Sequence, residues 1–254
     1  MFIPPKLSKS LNGEKQIILK SGPATQAAVA QQELEKGRDV VLIVPDQGVL
    51  KEIFAVLSLI SGYRSEAPVW EQQWITFPSC EPGESSRSLW AKRWAALYAL
   101  QHGQNHKGLL LSLDNLLPYW PPLHILEQEL LHIYTGEEFS PELIVEQMII
   151  LGFERVSMVT RVGELSWRGD ILDIFPPGYD WPVRLEFFAD MIENMRFFEP
   201  LSQRSKQELQ ELVLLPCAPA VFHEQVQKEA REYWTHLWTT GTLDKPTKSH
   251  LETA

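Results

Sequence analysis

Two kinds of hydrophobic pattern constrain the fold more than any other feature of this chain. The runs DVVLIV at 39–44 and GLLLSL at 108–113 are continuously apolar and separated by helix-like segments. Strands of that kind belong to a parallel sheet covered on both faces. The stretch VRLEFF at 183–188 alternates instead. Val183, Leu185 and Phe187 fall on one face and Arg184, Glu186 and Phe188 on the other, the signature of a sheet with one wet face. A chain with both patterns is expected to combine a parallel α/β part with a smaller α+β part.

Helix and turn signals divide the chain accordingly. QIILK at 16–20 reads as a first strand, followed by a helix from Ala24 to Lys36 closed by Gly37, and a second helix from Val49 to Leu59 closes at Gly62. Ser85 or Ser86 can cap a third helix, whose Leu89, Trp90, Trp94, Leu97 and Tyr98 form one stripe, read as core packing. Near Leu130 the pattern changes. Ser140-Pro141-Glu142 starts a helix that Gly152 ends, and turns follow at Gly163, Gly169 and Pro176-Pro177-Gly178. Antiparallel strands on a helix are expected there. From about Leu214 the chain is expected to return to the first part, with a helix from Glu224 to Trp238 and a polar tail. The expected boundaries are 1–128, 129–213 and 214–254.

Composition narrows the function. The net charge of −10 gives little attraction for a phosphate backbone, so nucleic acid is not expected as the primary ligand. Two cysteines, Cys80 and Cys217, can build neither a disulfide framework nor a cysteine-based zinc site. The longest apolar runs are far below the ~20 residues of a membrane span, and the N-terminus has no apolar signal core. A cytoplasmic location is expected.

Catalytic signatures fail on spacing. The loop after the first strand, Lys20 to Gln26, has one glycine, no Gly-Lys-Ser/Thr element and a proline without a backbone donor. No nucleotide cofactor is expected, and the dinucleotide GxGxxG fingerprint is missing too. His223-Glu224 opens like a zinc HExxH site, but position 227 is Gln227. Asp170 and Asp173 lie an odd distance apart on a β segment, so they are assigned to the turn and the surface. Arg168-Gly169-Asp170 matches an adhesion tripeptide by letters only.

The alternation points to docking instead. An outward Phe188 beside Arg184 has the makings of a protein-binding anchor, whereas a Phe188 covered by another element of its own domain is mere packing. Arg168 alternates outward in GELSWRGD and can join Arg184 and Phe188 in one patch. Simple exposed ion pairs are the competing account of both arginines.

The ordered run GFERV, GELSWRGDILDIFPP, PVRLEFF and QRS resembles the segment shared by bacterial transcription-repair coupling factors and the excision-repair subunit UvrB. Weaker similarity to the coupling factors reaches back to about Gln16 through VVLIVPD and WITFP. The resemblance implies a degenerate P-loop-NTPase-like sheet domain interrupted by a small α+β domain that binds UvrA. It implies Arg168, Arg184, Glu186 and Phe188 as the UvrA-binding residues, with Glu186 orienting the others or pairing with the partner. It also implies RNA polymerase and DNA as partners of other domains in a full-length parent. The span from Trp70 to Arg87 is too short for the DNA hairpin of UvrB, which favours the coupling factors. An ATP-dependent helicase subunit and a stand-alone regulatory domain with an intramolecular partner are the alternatives.

Overall fold

The computed structural model describes residues 21–64, 67–79, 86–103, 106–116, 126, 130–219, 232–233 and 235–237. The expected first strand at 16–20 and most of the helix expected at 224–238 lie outside the described residues, although 232–233 and 235–237 are helical. The chain divides into two compact units, Met1–Pro219 and Ala220–Ala254. Among the described residues no helix is long and apolar enough to cross a membrane.

In the first unit, α1 (Pro23–Glu35), β1 (Val40–Val44) and α2 (Gln47–Ile60) follow one another closely. Asp46 caps α2 by accepting from the Val49 amide, and Gly37 and Gly62 leave the two helices with positive φ. Beyond a 3-10 turn at Val69–Glu71 come β2 (Trp74–Thr76), α3 (Ser86–His102) and β3 (Gly108–Ser112). The three strands form a parallel sheet in the order β1-β3-β2. Pairing Trp74 with Gly108 requires the glycine, because a Cβ there would stand 2.3 Å from the indole.

One face of this sheet, with Val44, Trp74 and Leu110, packs with Ala27, Ile53 and Leu57 of α1 and α2. The other, with Ile75 and Leu111, packs on Trp94, Leu97 and Tyr98 of α3. The tryptophan-rich stripe is therefore core. The expectation of full cover on both faces fails at the edge strand, where Val41 and Ile43 remain 62% and 47% exposed. They share a face with Leu109 and Leu111, and α3 packs toward the β2 side of that face, on Ile75 and Leu111, rather than over β1.

The second part begins with β4 (Leu131–Tyr134), which pairs with β11 (Glu211–Leu214), and α4 (Pro141–Ile150) follows. Ser140 takes the N-cap position of α4 with Pro141 behind it. Its hydroxyl donates to the Glu142 carboxylate instead of capping a backbone amide. Then come β5 (Glu154–Arg155), β6 (Glu164–Arg168), β7 (Ile171–Ile174), β8 (Val183–Phe188), β9 (Met191–Phe198) and β10 (Ser205–Glu208). They form a six-stranded sheet in the order β10-β9-β8-β7-β6-β5, antiparallel except for the short parallel β5–β6 pair. Val213 and Leu215 join the core beside Trp94, so the end of this part packs back on α3.

Candidate protein-docking site

Strand β8 lies in the interior of the six-stranded sheet, so its side-chain period is set by ladders on both edges. Val183, Leu185 and Phe187 are buried. The opposite face shows Arg184, Glu186 and, at the strand's end, Phe188, which is 71% exposed. Of the two readings of Phe188, the outward one is observed. The chain then turns through Ala189, at φ 52, and Met191 pairs with Phe188 across the hairpin, itself partly exposed. An aromatic ring and a thioether thus stand together in water.

Register assembles the charged part of the face. Arg168 pairs with Ile171 and Ile171 with Glu186, while Asp173 pairs with Arg184 and Arg184 with Arg196. Arg168, Asp173, Arg184, Glu186 and Arg196 therefore project from one side. Two arginines directly opposite each other on neighbouring strands repel. Each is drawn to an acid: Arg184 to Asp173, and Arg196 to Glu186. Glu186 is engaged inside the face.

Arg184 departs from the exposed role expected of it. Its side chain is only 16% exposed and donates through Nε and Nη2 to both oxygens of Asp173, at 2.6 and 2.9 Å. Nη2 also donates to Gln203 Oε1 at 2.7 Å, and the guanidinium lies 4.7 Å from the centre of the buried Phe198 ring. The hydrogen bond to Asp173 holds its pKa above the ordinary guanidinium value. Bidentate, stacked geometry of this sort is specific to arginine. Arg168 is different, 59% exposed with Nη2 3.4 Å from Asp173, so most of its donors face solvent.

Asp173, assigned above to the surface, is instead a buried acid, its side chain 3% exposed beneath the two arginines. Buried charge must be paired, and Asp173 is the group around which Arg168 and Arg184 are arranged. Arg196 and Gln203 also escaped the sequence reading. Gln203 presents its amide from a loop residue with φ 57 and is steadied by its own bond to the Pro200 carbonyl. The face carries three arginines against two carboxylates, and Phe188 lies at its end.

The other candidate positions hold less chemistry. At the start of α1, Gly22 is the N-cap, Pro23 follows, and the Gln26 side-chain amide donates to the Ser21 carbonyl at 3.1 Å. Among the described residues no group of histidines, cysteines and acids could hold a metal ion. Cys217 is buried, and burial pushes its thiol pKa up, which suits a core residue rather than a nucleophile. Cys80 and His223 lie outside the described residues. Arg87 is tied to the Gly152 carbonyl and Glu154, so it joins α3 to the second part.

Residues 131–218 match the family model described as the UvrB interaction domain. A transcription-repair-coupling factor of Myxococcus xanthus is 34% identical over 139 residues, which cover 55% of this chain and 12% of that protein. The Escherichia coli protein of the same name is 28% identical over 232 residues, 91% of this chain and 19% of its own length. One from Staphylococcus aureus is 28% identical over 170 residues, 66% of this chain and 14% of that protein. The chain spans less than a fifth of the length of these relatives.

Proposed function

We propose, for a chain that carries a UvrB interaction domain and is homologous to transcription-repair-coupling factors, that its work is to recruit UvrA. The face of β6 to β9 is the docking surface in this reading. The observation that carries it is Phe188, a large apolar ring held out in water at the end of a strand whose other face is core. Around it stands an arginine-rich frame with one cation in surplus, which suits an acidic rim on the partner. Arg168 and Phe188 make the contacts. Arg184 and Glu186 act differently from what the sequence suggested: bonded to Asp173 and Arg196, they hold the face in shape.

We assign the interaction domain to residues 129–213 and the flanking segments to a degenerate α/β domain that binds no nucleotide. Pro23 and the Gln26–Ser21 bond stand where a phosphate loop offers amides and a lysine, which supports this assignment. Contacts with RNA polymerase and DNA belong to other domains of a full-length parent, and by recruiting UvrA this chain links a stalled polymerase to nucleotide excision repair.

The test is capture of purified UvrA by this chain and by its Phe188→Ala variant. Loss of a central aromatic anchor costs about 2–4 kcal/mol, roughly 30- to 1000-fold in affinity. Undiminished capture by a folded Phe188→Ala protein would remove this surface from the proposal.

A further inference from the structure

Away from the docking face, the seam between α3, the 3-10 turn and β11 encloses a cavity of about 250 Å³. Its walls include Trp70, Tyr98 and Tyr179, with the carboxylates of Glu71 and Glu211 at its polar edge. Trp70 meets Tyr98 at 4.9 Å and 80°, and Tyr179 at 5.1 Å and 88°. Tyr98 is also stacked on His102 at 4.3 Å, and it and Tyr179 are buried, so Trp70 is the more accessible of the three rings. The turn that brings Tyr179 here is a close fit, because Gly178, at φ +85, lies 2.6 Å from the Trp70 ring by its would-be Cβ and accepts from the Val69 amide. The aromatic walls are thus fixed before any ligand arrives.

The electrostatics of this space favour a cation. Burial raises the Tyr179 pKa first, with Glu211 and Glu71 adding to it, and burial followed by Glu211 raises that of Tyr98. Tyr179 therefore registers negative potential from both acids, and Tyr98 from Glu211. Glu71 meets Arg64 at 3.0 Å, but both are more than half exposed, so that pair is easily exchanged. Glu211 Oε1 is met by His132 Nδ1 at 3.0 Å and by the Tyr134 hydroxyl at 3.2 Å. Lys107 is a nearby ammonium that feels the charge of Glu71, but its Nζ donates to the carbonyls of Trp70 and Gln72.

We propose that this pocket binds the guanidinium of an arginine side chain presented by another polypeptide segment. Aromatic walls with carboxylates at the rim suit a planar, weakly hydrated cation that can pair with both. The volume lies below the ~300–1,000 Å³ of ordinary small-molecule sites, so it suits one side chain better than a cofactor.

N-acetylarginine methylamide, titrated into the ¹⁵N-labelled chain, should shift the Trp70 indole signal, assigned by its absence in Trp70→Phe, and saturate. Glu211→Gln should weaken binding by about tenfold or more, a difference of ~1.4 kcal/mol. Glu71→Gln, at an exposed position, serves the same purpose if Glu211→Gln lowers stability. The neutral isostere N-acetylcitrulline methylamide should leave the signal unmoved. A response to citrulline equal to that for arginine, no response to arginine, or unchanged affinity in both glutamine variants would each overturn the proposal. Methylguanidinium binding as tightly as the blocked arginine would also overturn it, by assigning the pocket to free small ions. Because Phe188 takes no part, Phe188→Ala should bind the arginine probe normally even if UvrA capture fails.

Discussion

Removing Arg184 tests the construction of the proposed docking face most directly. Arg184→Ala takes away two hydrogen bonds from Asp173, whose side chain is 3% exposed and cannot recover them from water. The remaining cation, Arg168, is 3.4 Å away and mostly in solvent, so it compensates only in part. Breaking a buried pair from one side typically costs 3–5 kcal/mol, about 2–4 °C of melting temperature per kcal/mol in a chain of this size, hence a fall of roughly 6–20 °C. Removing both partners is a different perturbation. Arg184→Met with Asp173→Leu leaves no unpaired charge, and such apolar replacements are often neutral or stabilising, so the double variant should be more stable than Arg184→Ala alone. Thermal and urea unfolding of the wild type, Arg184→Met, Asp173→Leu and the double variant close the cycle, with Arg184→Ala measured beside them. A loss below about 1 kcal/mol in Arg184→Ala, or a double variant no more stable than that single one, would refute the reasoning. Arg184→Ala is consequently a poor probe of UvrA contact by itself, since its loss of capture would mix docking with a disordered face.

Phe188→Ala should change stability by no more than about 0.5 kcal/mol, whereas Leu185→Ala, fully buried on the other face of the same strand, should cost about 2–5 kcal/mol, both read by urea unfolding. Calorimetric titration of the chain with Mg-ATP should show no heat above dilution, and a micromolar dissociation constant would contradict the assignment of the Ser21–Gln26 segment. Tyr63, with its pKa pushed up to about 12 by burial and then by Asp180, favours the protonated phenol in the folded state, as do buried Tyr179 and the Cys217 thiol. Below the unfolded values, about 8.5 for cysteine and 10 for tyrosine, both states hold these protons and stability is indifferent to them. Above them only the unfolded chain releases protons, so stability should fall from pH 8 to pH 11, measured by urea midpoint. Cys217 should stay unreactive toward a thiol reagent in the native protein and react on unfolding.

How far the site could be read in advance depended on the range of the information each feature needs. The side of β8 on which Phe188 lies follows from six residues, because a period of two is local and Val183, Leu185 and Phe187 identify the buried face, whereas the absence of a cover over its ring is a tertiary fact that the structure supplies. The third parallel strand could not be found that way. Trp74–Thr76 is too short to show a period, and its place beside β3 depends on the glycine at 108. Apolar runs such as VVLIV likewise do not say which face is covered, and Val41 and Ile43 stay exposed because α3 covers that face of the sheet away from β1.

The burial of Arg184 required still longer-range knowledge. It arises from the pairing of Asp173 with Arg184 across β7 and β8, from Phe198 at the end of β9, and from an amide on a left-handed residue in the following loop. No one of these is encoded near position 184. Aspartate between leucine and isoleucine in ILDIF was the available hint, since an acid alternating with core residues must either reach water or find a cation on its own face. The resemblance brought Arg168, Arg184, Glu186 and Phe188 forward as one set, but the geometry divides them by freedom to move. Arg168 and Phe188 have solvent in front of them, while Arg184 and Glu186 are already bonded within the sheet. A partner can gain hydrogen bonds from Arg168 and apolar burial from Phe188 at little cost to the fold, but can gain new bonds from the second pair only by dismantling a network that the buried charge of Asp173 requires. Substitution of Arg168 should therefore separate binding from stability, and substitution of Arg184 should not.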